Sequence, residues 1–127
     1  MTTAWDAELV AAAQTTIDAA GDGRLHTVAA AVRDTAGGVH TGINLFHFTG
    51  GPCAELVALA TATKTSSRPL SLIVAVGDAG RGVLPPCGRC RQVMLDLHPD
   101  IQVMLADGSV VAISDLLPVS YQWREGS

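Results

Sequence analysis

Apolar residues at Trp5, Leu9, Ala13, Ile17 and Ala20 return every three or four positions, with mostly polar or small residues between them. That period predicts an amphipathic helix ending at Gly21. Two apolar runs follow, "HTVAAAVRD" and "GGVHTGINLF", joined by turn-forming residues from Asp34 to Gly38. They read as an antiparallel hairpin. Helical spacing resumes at Cys53 and lasts until the polar "KTSSRP". "LSLIVAVG" is short and wholly apolar, the pattern of a strand covered on both faces. After "DAGRGVLPP", read as a loop, Cys87 to His98 again has helical spacing, closed by Pro99. "IQVMLAD" and "GSVVAI" supply strand material, "SDLLP" a last short helix, and a polar tail follows.

A hairpin first and helical crossovers later imply an α/β fold, a mixed sheet with helices on both faces. The 127 residues suit one domain, 1–127, with enough chain to bury a real core. Hydrophobic residues make up 48% and charged ones only 16%, so the chain is expected to be compact and not disordered. The net charge of −4 and eight scattered Lys and Arg residues argue against nucleic acid and favour a small-molecule substrate. No run reaches the ~18 apolar residues of a membrane helix, and "MTTAWDAELV" has neither the basic start nor the apolar core of a signal peptide. A cytoplasmic location, where thiols stay reduced, is therefore expected.

Three cysteines, two of them in a C-x-x-C, are poor arithmetic for disulfides and good arithmetic for a metal. Both cysteine segments follow prolines, Pro52 in one case and Pro85-Pro86 in the other, as helix starts often do. Helix N-termini offer partial positive charge and free N–H groups, which favour thiolates. Cys87 and Cys90 share one face of a turn, and Cys53 from the other helix start could complete a trio on Zn²⁺. Three ligands without a fourth leave a vertex open for water, the arrangement of a catalytic zinc. Glu55, two residues past Cys53, could then move protons to and from that water.

Taken singly, these residues have plainer explanations. Glu55 suits the first turn of any helix, Cys53 could be a small buried apolar group, and "CGRC" could be a redox pair. Only the zinc reading accounts for the Cys53–Glu55 spacing and the two matched helix starts together. Within it, His47 could close the site as a fourth, structural ligand. His26, His40 and His98 stand at element edges with no partner at ligand spacing and are read as surface or capping residues.

Cys53-Ala54-Glu55 followed by Pro86-Cys87-Gly88-Arg89-Cys90-Arg91-Gln92 resembles the zinc signature of the cytidine deaminase superfamily, whose general form is a known pattern. "TGINLFHFTGGPCAELVAL", "RGVLPPCGRCRQVMLDLHPDI" and "DLLPVSYQW" are similar to its blasticidin S deaminase branch, from about Leu9 to Trp123. The resemblance implies a three-layer α/β/α fold around a five-stranded mixed sheet, assembled as a homotetramer. It implies hydrolytic deamination at C4 of a cytosine nucleoside or nucleoside antibiotic, with Zn²⁺ on Cys53, Cys87 and Cys90 and Glu55 shuttling protons. The Ala54 N–H would meet the ring carbonyl, and Asn44 matches an asparagine that binds the sugar. The alternatives are a cytidine or deoxycytidine deaminase of pyrimidine salvage and a non-catalytic zinc protein.

Two positions depart from the cytidine deaminase pattern. Phe46 stands where a glutamate usually accepts a ribose hydroxyl, and Leu56 where an arginine usually follows C-A-E. Losing that carboxylate should weaken ordinary nucleosides by ~1–3 kcal/mol, which fits a substrate with a modified sugar such as blasticidin S. Three thiolates on Zn²⁺ leave a net negative site, and a guanidinium donating to the sulfurs would offset it: Arg91 is favoured for this, with Arg89 the second candidate. Arg81 is a candidate partner for a substrate carboxylate. Tyr121 and Trp123, two of five aromatics, are expected to pack the tail, from about residue 119, over something: the resemblance implies the pocket of this or a neighbouring subunit, and the protein's own surface is the equal alternative.

Overall fold

The computed structural model describes residues 4–123, so the two ends of the expected 1–127 unit lie outside the described residues. Helix α1 (Ala7–Ala20) starts at Asp6, whose side chain accepts the Leu9 N–H at 3.0 Å. The same carboxylate takes two guanidinium bonds from Arg33, which ties the helix start to the sheet. Leu9, Ala13 and Ile17 are the buried stripe, while Trp5 precedes the helix and is largely exposed.

Strands β1 (Val28–Asp34) and β2 (Val39–Ile43) form the expected hairpin. Helix α2 (Ala54–Thr65), strand β3 (Leu70–Gly77), strand β4 (Gly82–Leu84) and helix α3 (Gly88–Leu97) follow. Strands β5 (Gln102–Met104) and β6 (Val110–Ala112) and the short helix α4 (Ile113–Leu116) complete the order. The sheet runs β2-β1-β3-β5-β6, and β4 pairs antiparallel with the end of β3. Only β3–β5 is parallel, which requires the crossover through α3. The sheet thus has the five strands expected along its path plus β4, which lies in the stretch read as a loop. Gly82, at φ +74°, lets that strand begin straight after a tight turn.

Alternation along β1 sorts the core into two layers. Ala29 and Ala31 meet Leu9, Ala13 and Ile17 of α1. Ala30 and Val32 meet Ala54, Ala58 and Ala62 of α2 and Met94 of α3. Strand β3 is buried at seven of its eight positions, as its unbroken apolar run predicts. His40 is not a surface residue. It is buried on β2, 2.9 Å from Asp34, because the alternation turns it inward beneath α2. That contact, with the Gly38 N–H, holds the Asp34 carboxyl below its ordinary range. No helix among the described residues is long and apolar enough to cross a membrane.

Helix α2 lies close to β2 because Gly42 has no side chain. A Cβ there would come within 2.5 Å of the Ala58 backbone nitrogen and 2.8 Å of the Val57 carbonyl carbon. Gly42→Ala is expected to push α2 off the sheet and cost about 1–3 kcal/mol, measured as a lower urea midpoint with an unchanged slope.

Candidate active site

Cys53 and Cys87 are the residues immediately before α2 and α3, both with extended backbone, and neither side chain caps its helix. Their sulfurs are therefore free to face one another beside two sets of unpaired helix N–H groups. The Sγ atoms of Cys53 and Cys87 are 3.6 Å apart and those of Cys87 and Cys90 3.5 Å. All three lie within 4.8 Å of one another. Sulfurs at about 2.3 Å from a tetrahedral zinc sit roughly 3.8 Å apart, close to the two measured separations, so the trio suits Zn²⁺. A redox pair would need two of these sulfurs; three converge.

The electrostatics also ask for a cation. Burial pushes the Cys90 thiol far up, and the nearby Glu55 carboxylate and sulfurs push it further. For Cys87, burial raises the pKa, but backbone N–H groups at the start of α3 and the neighbouring thiols outweigh it, so the net shift is downward. Glu55 is 6% exposed, and that burial raises its carboxyl above the ordinary value. Acidic groups are thus collected in a small volume where burial and mutual repulsion disfavour their ionised forms, which a divalent ion would stabilise.

His47 does not join the trio. It is exposed and bonded through Nδ1 to the Thr49 hydroxyl in its own turn. The expectation for Arg91 is corrected: its guanidinium donates to the Pro86 and Leu116 carbonyls at 2.9 and 3.0 Å, bracing α3 against α4. Arg89 takes the role instead, with Nη2 at 3.3 Å from the Cys53 sulfur and 2.9 Å from the Gly51 carbonyl. Helix geometry is the reason. Cys90 points inward, so Arg91, one residue on, is turned toward α4, while Arg89 is turned toward the start of α2. Gly51 is needed in this turn, because a Cβ would overlap the Leu45 carbonyl oxygen.

A cavity of about 270 Å³ opens onto the site, bounded by Asn44, Phe46, Ala54, Glu55, Leu84 and Cys87 among others. The structure thus brings together five residues singled out by sequence with Cys53 and the buried Cys90. Asn44 is held hard: its Oδ1 accepts the Thr27 and Val28 N–H groups at 2.7 and 3.0 Å. Phe46 is 62% exposed at the rim. Arg81 lies outside the cavity lining, clamped to the Thr27 carbonyl at 2.7 Å and to Asp78 at 2.9 Å. Tyr121 and Trp123 lie on the far side of α3, where Gln92 donates to the Tyr121 carbonyl. They do not reach the cavity of their own chain. The sequence reading missed Leu84, on the unpredicted β4.

Residues 3–106 match the family described as "cytidine and deoxycytidylate deaminase zinc-binding region". The chain is 30% identical over 128 residues to the blasticidin-S deaminase of Bacillus cereus, covering 91% of each. It is 39% identical over 101 residues to the cytidine deaminase of Halalkalibacterium halodurans, covering 74% of this chain and 76% of that one. Among solved structures, the cytidine deaminase of Mycobacterium tuberculosis superposes with a TM-score of 0.78 at 28% identity, over 92% of this chain and 97% of that one. That of Burkholderia pseudomallei gives 0.74 at 32%, over 91% and 98%.

Two measurements test the site. Elemental analysis of unchelated protein is expected to give one zinc per chain, retained in His47→Ala and lost in Cys90→Ser. In zinc-free protein the raised Glu55 pKa means that the folded state binds the proton more tightly than the unfolded one. Its contribution to stability therefore falls as pH rises above the unfolded carboxyl range. Zinc-free Glu55→Gln should melt higher than zinc-free wild type at pH 7, with the difference gone below about pH 4.

Proposed function

Because this chain belongs to the cytidine and deoxycytidylate deaminase family, we propose that it hydrolyses the C4 amino group of a cytosine nucleoside, with a blasticidin S-type nucleoside as the preferred substrate. Zinc held by Cys53, Cys87 and Cys90 would supply Lewis-acid activation of water. Glu55 does the proton work. It accepts a proton from the attacking water and passes it to ring N3. It then takes the remaining proton of the hydroxyl added at C4 and delivers it to the amino group as the C4–N bond breaks, the C4 carbonyl forms and ammonia leaves. A carboxyl whose pKa is raised by burial is suited to both directions of transfer. The Ala54 N–H, at the first position of α2, has no intrahelical partner and is free to bind the ring carbonyl.

The observation that carries the substrate preference is the rim. Phe46 lines the cavity where a ribose-binding carboxylate would otherwise stand, so the sugar side of the pocket is apolar apart from Asn44. Arg81 has its Nε and Nη2 committed to Asp78 and Thr27, while Nη1 has no partner among the described residues. That free edge supports a role in meeting a substrate carboxylate. The cytidine or deoxycytidine reading keeps the same chemistry and rests on the likeness to the H. halodurans enzyme.

We also infer self-association into the homotetramer expected from sequence. The outward face of α2 presents Leu56, Val57 and Ala60 beside Pro52, and Phe48 in the preceding loop is 88% exposed. An apolar face of this kind on a surface helix points to a covering partner. A neighbouring copy would then be the route by which Tyr121 and Trp123 reach a cavity. These readings together describe a zinc aminohydrolase of the cytoplasm, acting on small molecules.

Glu55→Gln is expected to keep its zinc and lose ammonia release by at least a thousandfold, in line with general acid–base and electrostatic contributions combined. Offered blasticidin S, cytidine and deoxycytidine side by side, the native protein should show its highest kcat/KM for blasticidin S. A clear preference for cytidine would move the assignment to pyrimidine salvage.

A further inference from the structure

Asn44 and Glu55 are the only cavity-lining side chains among the described residues that carry nitrogen or oxygen. Glu55 stands at the zinc end, so the sugar side depends on Asn44. Its amide orientation is fixed by chemistry, since two backbone N–H groups, of Thr27 and Val28, can only point at its oxygen. Both lone pairs of Oδ1 are therefore used. Its Nδ2 makes one long bond of 3.3 Å to the Thr27 hydroxyl and keeps a hydrogen to offer.

The main chain of Asn44 is equally engaged. Its N–H donates to the Val28 carbonyl at 3.1 Å. Its carbonyl lies 2.8 Å from His26 Nδ1, and because a carbonyl cannot donate, that ring nitrogen carries the hydrogen. His26 is itself placed by the loop between α1 and β1, where Asp22 Oδ1 accepts the N–H groups of Arg24, Leu25 and His26. Leu25 of that loop in turn accepts the Phe46 N–H at 2.9 Å. The segment Asn44-Leu45-Phe46 is thus fastened to a pre-formed loop that meets it with two side chains, the His26 ring at the Asn44 carbonyl and the Thr27 hydroxyl at Nδ2.

We propose that His26 is a positioning residue that holds the Asn44 main chain in place, so that its amide, made donor-only by the Thr27 and Val28 N–H groups, recognises a lone pair on the sugar and is indifferent to the sugar's hydroxyl protons. This deepens the nucleoside reading above and rests on it. A site built to accept a hydroxyl hydrogen rejects analogues lacking it by orders of magnitude, because its own acceptor is left unpaired. Here Asn44 has no acceptor left to strand. A sugar oxygen capped as an ether keeps its lone pairs and satisfies Nδ2–H as well as a hydroxyl does.

The test uses the zinc-loaded Glu55→Gln protein, so that ligand is bound and not consumed, with calorimetry on cytidine and 2′,3′-di-O-methylcytidine. Both should bind with dissociation constants within about threefold of each other. Adding His26→Leu should weaken both by roughly fivefold, the scale of one neutral hydrogen bond, and His26→Gln, whose amide can still donate, should restore most of it. In the Glu55-containing enzyme the same His26→Leu change should raise KM with kcat within about twofold. An ether at least tenfold weaker than cytidine would reveal an open acceptor and overturn the proposal. So would a His26→Leu protein that melts lower but binds unchanged, since the residue would then be structural only. If neither nucleoside binds at all, the cytosine-nucleoside reading fails, and this inference with it.

Discussion

The site depends on two helix N-termini held at one end of the sheet, with their unpaired N–H groups turned toward three sulfurs and a carboxylate. Without a cation those four acidic groups repel one another, and the opposite pKa shifts of Cys87 and Cys90 record the conflict. The fold supplies the partial positive charge of the helix ends, and Arg89 adds a full one next to Cys53. A divalent ion completes the balance. The buried alanines of α2 and the missing side chain of Gly42 let α2 sit close enough to the sheet for Cys53 to reach the α3 cysteines.

Much of this was legible in the sequence, and for physical reasons. The strong period of α1, the hairpin with its turn at Asp34 to Gly38, and the apolar run of β3 each state their own burial. The proline–cysteine pairs gave both helix starts to within a residue. What sequence did not give was set by tertiary geometry. Strand β4 has three residues and exists because β3 offers it a free edge above β5. The choice between Arg89 and Arg91 turns on about 200° of helix rotation, and what each meets there belongs to other elements. His40 looked like an edge residue because its partner, Asp34, pairs with it only once the hairpin has closed.

The tail shows the same division. Its aromatic content marked it as packed against something, and it does lie on α3, but on the side away from the cavity. A single chain thus presents a pocket with an exposed rim at Phe46 and an apolar outer face on α2. Self-association would cover the second and could close the first with tail aromatics from a neighbour. The cavity wall at Asn44, by contrast, is built within one chain, since Asn44 is fixed by Thr27, Val28 and His26 of that same chain.

The central claim is a catalytic zinc held by three sulfurs with one vertex open. X-ray absorption at the zinc edge, on protein purified without chelators, tests it most directly. The account predicts three sulfur scatterers at about 2.3 Å and one lighter oxygen scatterer near 2.0 Å. A shell of four protein ligands with a nitrogen from histidine, or no zinc signal at all, would contradict it.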